Sequence, residues 1–359
     1  MIKGCIGIRM QRIILFVALL VLTSLLPAQE IINNPKKPLS SEVGRILKIE
    51  EMFRINDDSG EFFFQWASNL QIAEDGSIFL TDVDQFLKFA PDGKYLKNIY
   101  KKGQGPGEIQ SSFFHYHLHG ENIFVYDPMN TKMILMDLEG RLIGEFKLAE
   151  RYVQFIGLWD DDFIFTKYSW PDSAERVGKL FDIPGKILLI SKEGDIINEC
   201  PGIPWKIFLH PNLGQRLPML ATCLSEDCKS YFISDPDQYM VSLFDLEKFK
   251  FIRKFRREYS RVRRPNRETP LRSSIKIPEI EYENDIVDLY NFMGNLWVET
   301  STNDDKTGTL YDVFNILGQY IDSFWLDRGE LITTHRDFLF IRELDVDGSI
   351  RIVKYHVVH

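Results

Sequence analysis

The chain has 359 residues, of which 44% are hydrophobic, 26% charged and 13% aromatic, and its formal net charge is −9. This composition is typical of a globular protein and excludes a disordered, collagenous or coiled-coil chain. The negative balance disfavours general binding to nucleic acid or to an anionic membrane surface.

The first 28 residues predict a secretory signal peptide. Three basic residues precede the apolar run 13–26, and a small residue, Ala28, follows it. The run is short for a membrane span, which needs about 20 residues. We therefore expect export, with the mature protein soluble in the periplasm, associated with the outer membrane or cell envelope, or extracellular. Because Leu26 is bulky for a cleavage site, retention of the segment as an anchor is the alternative.

Beyond a predicted linker at 29–41, one sequence motif recurs along residues 42–359. Two short strands rich in β-branched and aromatic residues are followed by a turn that contains glycine. The clearest copies span 78–94 and 123–141. Four weaker copies begin near residues 163, 231, 296 and 338. Such repeats are typical of four-stranded β-propeller blades. The sequence therefore predicts an all-β, six-bladed β-propeller, with the first strand of each blade lining the central channel.

The two ends of the chain predict how the ring closes. The C-terminal copy lacks an outermost strand, whereas residues 44–52 form an alternating pattern ahead of the first clear copy. Alternation of apolar and polar residues is the pattern of a half-buried strand. We expect residues 44–52 to complete the last blade and to tie the two chain ends together.

A glycine-rich phrase follows the strand pattern at 95–100. It consists of Gly103, Gln104, Gly105, Pro106, Gly107 and Glu108. With the Pro-Asp-Gly-Lys turn at 91–94 and the Leu-Trp-Val-Glu-Thr strand at 296–300, this phrase resembles exported bacterial six-bladed β-propellers related to NHL-repeat proteins. The resemblance covers nearly all of residues 29–359 and implies the propeller architecture. It implies no particular chemistry, because members of this kind are mostly uncharacterised.

The phrase at 103–108 does not have the pattern of a phosphate-binding loop. It lacks the Lys-Ser/Thr pair of a P-loop, and the sequence after it predicts no helix. Glycine is above all a residue for backbone conformations that other residues adopt poorly. We interpret the phrase as a tight crossing between two blades, with Glu108 capping nearby backbone amides.

Three histidines, His115, His117 and His119, alternate along one strand pattern. Residues at i and i+2 share a face of a strand, about 7 Å apart at a rise of about 3.3 Å per residue. A zinc ion could use His115 with His117, and Asp127 at the end of the next strand could be a further ligand. This metal site is the one cofactor hypothesis that the sequence offers. The alternative is a polar strand end with partly exposed imidazoles.

Cys223 and Cys228 flank the tetrapeptide Leu-Ser-Glu-Asp, which predicts a hairpin turn. Export permits disulfides, but spacing alone does not show the geometry that a bridge requires. A Cys223–Cys228 disulfide and a pair of free thiols are therefore both open at this stage.

Residues 248–272 are strongly basic in an otherwise acidic chain. Basic clusters attract acidic partners, although charge runs are more often solvated faces. One interpretation is a contact surface for a protein or polysaccharide. Its residues would be Arg256, Arg257, Arg263 and Arg264. The other interpretation is an outer strand whose arginines pair with acidic residues of the same chain.

The sequence contains no Gly-x-Ser-x-Gly elbow, no His-Glu-x-x-His motif and no Rossmann glycine pattern. We therefore favour an exported, non-enzymatic propeller that presents its channel face or its basic segment to a protein or glycan partner, and not to nucleic acid. The alternative is a metal-dependent propeller hydrolase or lyase with a site on the ring axis. Fold analogy is the only support for either function at this stage.

Overall fold

The computed structural model describes residues 30–40, 42–57, 60–169, 180–210, 214–216, 220–264, 281–345 and 347–358. The predicted signal peptide, residues 1–28, lies outside this part of the chain. Within the described residues every regular element is a β-strand, and no helix is long and apolar enough to cross a membrane. The predicted all-β class is confirmed.

In chain order the strands are β1 (Glu30–Asn34), β2 (Arg45–Ile46), β3 (Ile49–Ile55), β4 (Ser68–Ile72), β5 (Ile78–Asp82), β6 (Gln85–Phe89), β7 (Tyr95–Asn98), β8 (His115–His119), β9 (Asn122–Asp127), β10 (Lys132–Asp137), β11 (Leu142–Lys147), β12 (Gln154–Trp159), β13 (Asp162–Tyr168), β14 (Leu180–Ile183), β15 (Gly185–Ile190), β16 (Ile196–Pro201), β17 (Trp205–His210), β18 (Gly214–Arg216), β19 (Thr222–Leu224), β20 (Ser230–Ser234), β21 (Met240–Asp245), β22 (Lys250–Arg257), β23 (Ile286–Phe292), β24 (Asn295–Asp304), β25 (Gly308–Phe314), β26 (Tyr320–Leu326), β27 (Glu330–His335), β28 (Phe338–Leu344) and β29 (Ile350–Val357).

Six sheets of four antiparallel strands form the blades of the ring. Blades 1 to 6 have the strand orders β4-β5-β6-β7, β8-β9-β10-β11, β12-β13-β15-β16, β19-β20-β21-β22, β23-β24-β25-β26 and β27-β28-β29-β3. First strands of neighbouring blades contact one another, as between β8 and β12 or β27 and β4, so the first strands lie nearest the axis. The predicted six-bladed β-propeller is confirmed.

Strand β3 closes the ring, as the sequence predicted. It pairs antiparallel with β29 and is the outermost strand of blade 6. The predicted strand at 44–52 is divided, however, because Arg45–Ile46 forms β2 and pairs in parallel with β26 of blade 5. The chain thus covers the edge of blade 5 before it enters blade 6.

Most of the segment predicted as a linker, residues 29–41, is also part of the ring. Strand β1 pairs in parallel with β22, which places Asn34 opposite Arg257. The Leu39 amide then donates a hydrogen bond of 3.1 Å to the Tyr320 carbonyl. The outer edge of a sheet exposes backbone donors and acceptors that a further strand can pair. The N-terminal segment therefore covers the outer edges of blades 4 and 5.

Blade 3 carries an insertion. Strand β14 lies between its second and third strands, and it pairs with β17, which follows the fourth strand. Together with β18 these strands form a small three-stranded sheet separate from the blades.

Apolar packing between adjacent blades forms the core. The middle strands β5 and β6 are buried along their whole length, whereas the outer strand β7 is only partly buried. Between blades 1 and 2, Phe79 and Phe86 pack with Tyr116 and Ile134. Similar clusters lie between the other neighbouring blades. Each blade therefore buries both of its faces, which a single four-stranded sheet in water cannot do.

Aspartates that end the second strands of blades 1 and 2 hold the crossings into those blades. Asp82 accepts hydrogen bonds of 2.8 and 2.9 Å from the amides of Gln65 and Trp66. Asp127 accepts one of 2.8 Å from the Gln110 amide. Aspartate side chains often bond nearby backbone amides in this way. Here they fix the chain just before the first strand of each blade.

A buried ion pair joins blades 4 and 5. Arg257 Nη2 lies 2.6 Å from Asp312 Oδ2, and both side chains are buried. The hydroxyls of Tyr239 and Tyr320 donate hydrogen bonds of 2.5 and 2.6 Å to the same carboxylate. The guanidinium also lies 4.8 and 5.2 Å from the centroids of these two rings, a cation–π arrangement. The charge of Asp312 is thus balanced by one arginine and two hydroxyl donors.

Replacement of Arg257 by Leu is expected to destabilise the protein by about 3–5 kcal/mol, because Asp312 would keep a buried charge without its cationic partner. The matched control is Arg256→Leu on the same strand, which removes an exposed guanidinium bonded to Asn33. Its expected cost is below about 1 kcal/mol. Urea unfolding of both variants measures the difference. Equal costs would contradict the structural role of the ion pair.

Candidate functional site

A cavity of about 370 Å³ occupies the channel between the first strands of blades 1, 4, 5 and 6. Its lining is mainly polar and includes Asn69, Thr222, Asn291, Thr333, Thr334 and His335. Glu226, Met293 and Arg336 come from the turns after β19, β23 and β27, and they mark the face of the ring to which the cavity extends. Pockets for small ligands typically have volumes of about 300–1,000 Å³. The cavity is therefore large enough for a small molecule.

Side chains fill the other side of the channel. Gly157 on β12 lies where His117 of blade 2 and Leu224 of blade 4 approach each other. A Cβ atom at position 157 would lie 3.0 Å from Leu224 Cδ1 and 3.2 Å from His117 Cε1. The glycine therefore lets three blades meet closely, and the open space lies on the side of blades 1, 5 and 6.

A smaller cavity, of about 20 Å³, lies between blades 3 and 4. Thr166, Gly185 and Tyr231 are among the residues that line it. A space of about 10–15 Å³ on this measure admits one water molecule. This cavity is too small for a ligand, so the channel cavity is the candidate site.

Two carboxyl groups and two tyrosines lie beside the channel cavity. Asp288 lines the cavity from β23 and is the cross-strand partner of Glu299 on β24. The Tyr290 hydroxyl lies 3.3 Å from Asp288 Oδ2 and 3.1 Å from Glu299 Oε2. The Tyr311 hydroxyl lies 2.8 Å from Glu299 Oε2. We call these four residues the carboxyl–tyrosine cluster.

Burial raises the pKa of Asp288 to about 6 and the pKa of Glu299 to about 7. The negative charge of Glu330 acts on both groups in the same direction. At neutral pH part of the cluster is therefore protonated. The sequence hypotheses did not include these residues. One signal was available, because Glu299 interrupts an apolar strand, and a polar group in a buried strand requires a partner.

The structure does not bring His115, His117 and Asp127 together as metal ligands. His115 stacks on Tyr126, with ring centroids 6.3 Å apart, and His117 meets the edge of Phe155 at 6.4 Å. The carboxylate oxygens of Asp127 accept hydrogen bonds from backbone amides and from the Asn130 side chain. In the described part of the chain, no group of three or more His, Cys, Asp or Glu side chains is placed to hold a metal ion.

The disulfide considered between Cys223 and Cys228 is not formed, and both cysteines are free thiols. Cys223 lies in β19, where it packs against the apolar cluster between blades 4 and 5. Cys228 lies in the following turn, with a positive φ of 53°. Burial raises the pKa of the Cys223 thiol to about 12. A thiol with so high a pKa is a poor nucleophile at neutral pH.

The four candidate arginines of the basic segment all make contacts within the chain, and of the four only Arg257 is buried. Arg257 is buried against Asp312, so its predicted role as a partner contact is wrong: its guanidinium cannot reach a partner from between two blades. Arg256 donates a hydrogen bond of 2.7 Å to Asn33 Oδ1. The remaining two candidates form ion pairs within the chain. These pairs are Arg263–Glu281 at 3.1 Å and Arg264–Glu283 at 2.9 Å. The rest of the basic segment, residues 265–272, lies outside the described residues.

The loop at 103–108 is bound tightly to blade 2. The Gly105 amide donates to Glu108 Oε2 at 2.9 Å, as expected of a capping carboxylate. The buried ammonium of Lys132 donates to the Gly105 carbonyl at 2.9 Å, and the Gly107 amide donates to Glu145 Oε2 at 2.9 Å. The loop thus links the last strand of blade 1 to the first strand of blade 2, and its backbone groups are engaged by the protein itself.

Both His115 and His117 are expected to remain neutral at pH 6, because burial lowers the pKa of each to about 4. The unfolded chain binds these protons near pH 6.5, so the free energy of unfolding should fall as the pH drops from about 6.5 to about 4. Each ring contributes at most roughly 3 kcal/mol to this loss. Ring nitrogen NMR shifts against pH, assigned with His115→Gln and His117→Gln, test the expectation. A ring protonated at pH 6 would contradict it.

Comparison with known proteins supports the architecture. Residues 59–195 match the model of a family described as a 6-bladed beta-propeller. No curated protein matches the sequence. Among solved structures, a Bacteroides fragilis protein considered to be exported aligns with a TM-score of 0.59 at 11% identity, over 92% of this chain and 100% of that one. A member of the duf4221 family from Bacteroides vulgatus aligns with a TM-score of 0.53 at 9% identity, over 88% and 99%.

At these identities the structural likeness shows the fold alone. Kinship with NHL-repeat proteins stays a prediction. The family match includes the loop at 103–108, which carried the resemblance in the sequence. The chain is a six-bladed β-propeller, and the resemblance to exported bacterial propellers predicted from its sequence is confirmed.

Proposed function

We propose that the protein is an exported, non-enzymatic binding protein that takes a small, neutral, hydroxyl-rich group, such as the terminal sugar of a glycan, into its channel cavity. The observation that carries the proposal is the polar cavity of about 370 Å³ among the first strands of four blades. Export is supported by the signal-peptide pattern of residues 1–28 and by the shared fold with a protein considered to be exported.

The chemistry of the cavity wall favours a sugar. Two asparagines, Asn69 and Asn291, and three threonines, Thr222, Thr333 and Thr334, are among the residues that line it. Amide and hydroxyl groups both donate and accept hydrogen bonds, as do the hydroxyls of a sugar. Apolar side chains such as Leu70 and Ile332 add only small patches. A neutral ligand with many hydroxyls fits such a wall better than an apolar one.

The charge at the mouth of the cavity is balanced, because Glu226 and Arg336 both lie there. Strongly charged ligands therefore gain little from the entrance. The basic segment offers less than the sequence suggested, since Arg257 is buried and Arg263 and Arg264 are paired within the chain. The channel face, and not the basic segment, is the surface that supports binding.

The test is a titration of the purified protein with neutral disaccharides, namely cellobiose, maltose, mannobiose and N,N′-diacetylchitobiose, followed by calorimetry and saturation-transfer NMR. At least one of them is expected to bind. Thr333→Trp, which fills the cavity, should weaken that binding by at least about tenfold, equivalent to 1.4 kcal/mol. The matched control, Lys306→Trp, adds the same side chain at the exposed β24–β25 turn and should change nothing.

Two outcomes would contradict the proposal. One is that none of the four disaccharides binds. The other is that binding survives Thr333→Trp as well as it survives Lys306→Trp, which would place the ligand outside the channel.

A further inference from the structure

The Tyr290 hydroxyl has three acceptor oxygens around it but only one proton to donate. Its oxygen lies 2.6 Å from the Leu331 carbonyl oxygen, 3.1 Å from Glu299 Oε2 and 3.3 Å from Asp288 Oδ2. A phenol has one proton to donate. The shortest of these contacts is the one to the Leu331 carbonyl, so we assign the Tyr290 proton to the hydrogen bond with that carbonyl. The contacts to Glu299 and Asp288 then need a proton from another source.

Tyr311 does not supply that proton. Its hydroxyl donates its one proton to Glu299 Oε2, at 2.8 Å. If Asp288 and Glu299 were both ionised, their oxygens would face the Tyr290 oxygen with no hydrogen between them. Asp288 Oδ1 would keep its bond from the Leu289 amide, but Oδ2 would have no donor among the described residues, and a buried charged acceptor without a donor is destabilising. One proton on either carboxyl turns such a contact into a hydrogen bond that Tyr290 accepts.

The surrounding charges favour the protonated form. Glu330 of β27 acts on both carboxyls, and its own carboxylate is paired with Arg342 of β28. On the β19 side, Cys223 lies near Asp288 as an uncharged thiol. Burial, rather than these neighbours, is the largest cause of the raised pKa values of Asp288 and Glu299.

We infer that the carboxyl–tyrosine cluster of Asp288, Tyr290, Glu299 and Tyr311 holds one carboxyl proton in common, and that Asp288 directs this proton to Tyr290 when the channel cavity is empty and to the ligand, as a hydrogen-bond donor, when the cavity is occupied. The group it serves is an uncharged acceptor oxygen of the ligand, such as a ring oxygen or an amide carbonyl. This second part rests on the proposed function, because it requires a ligand in the cavity.

The geometry gives the two carboxyls different tasks. Asp288 lines the cavity, whereas Glu299 lies behind it on β24 and is held by two tyrosines. Asp288 is therefore a specificity-determining residue, and Glu299 is a positioning residue that acts through Tyr290. Ionisation of Asp288 removes the donor, so ligand affinity must fall as the pH rises through about 6.

The shared proton is tested first without any ligand, by carboxyl ¹³C NMR titration of the full chain. Asp288 and Glu299 are both expected to titrate above pH 5. Groups that share a proton titrate as a pair, so Glu299→Gln should move the midpoint of Asp288 by more than about one pH unit. The matched control is Glu226→Gln, an acid at the mouth of the same cavity but outside the cluster, which should leave that midpoint in place.

Ionisation of both carboxyls below pH 5 would overturn the inference, and so would equal effects of the two variants. If Glu299→Gln does not fold, Asp288→Asn gives the same coupling when the titration of Glu299 is followed. Site-specific titration is needed because the bulk stability curve mixes opposite slopes. Because the pKa values of Asp288 and Glu299 are raised, these groups lower the free energy of unfolding as the pH rises. Because the pKa values of His115 and His117 are lowered, these groups lower it as the pH falls.

The donor to the ligand is tested with whichever disaccharide binds in the titration described above. Between pH 5 and pH 8 the affinity of the unmodified protein should fall by about tenfold or more, in line with loss of the Asp288 proton. Asp288→Asn keeps an N–H donor and should bind equally at both pH values. Asp288→Ala should bind weakly at both.

The same pH dependence in Asp288→Asn as in the unmodified protein would overturn the role of Asp288 in ligand binding. If none of the disaccharides binds, the proposed function fails, whereas the shared proton is decided by the ligand-free NMR titration alone.

Discussion

Apolar packing between neighbouring blades is the constraint on which the other features of this protein depend. A blade presents an apolar surface on both faces, as β5 and β6 show by being buried along their whole length. Each face can be covered only by another blade, so the blades must form a closed ring. Closure requires the outermost strand of blade 6, and the N-terminal strand β3 supplies it by pairing with β29.

The ring forces several charged groups into low-dielectric surroundings, and the protein satisfies them in two ways. Between blades 4 and 5, burial raises the pKa of Asp312, but Arg257 and two tyrosine hydroxyls oppose this rise by stabilising the charged carboxylate. Between blades 5 and 6, Glu299 has one tyrosine donor, Tyr311, but no arginine among its strongest interactions, and burial raises its pKa further, to about 7. A buried carboxyl without a cation favours its neutral form. The first arrangement serves stability, whereas the second leaves a titratable group beside the channel.

The channel is asymmetric because different side chains project from the first strands. Gly157, His117 and Leu224 meet on one side of the axis and fill it. On the side of blades 1, 5 and 6, shorter polar residues such as Thr333 and Asn291 leave the cavity. The fold supplies the ring and its axis, but the choice of residues on six short strands decides where a ligand could enter. This separation of scaffold and site is common in folds that serve many functions.

The sequence was sufficient to predict the all-β class, the number of blades, the closure of the ring and the structural character of the loop at 103–108. These features follow from local patterns: strand alternation, turn glycines and the spacing of repeats. The bonds that Asp82 and Asp127 make to backbone amides are also local, because each amide lies fewer than 20 residues away along the chain.

The roles of the buried polar residues depend on contacts that form when the blades pack together. Arg257 stands in a basic run that suggested a surface, yet its partner Asp312 is 55 residues away on the next blade. The carboxyl–tyrosine cluster likewise depends on residues distant in the chain. The third strand of blade 5 brings Tyr311 to Glu299, and the Leu331 carbonyl that contacts Tyr290 lies 41 residues away. Charge runs and spacings describe a residue's neighbours along the chain. Burial and pKa depend on neighbours across a blade interface, and those are set by ring packing that no local pattern contains.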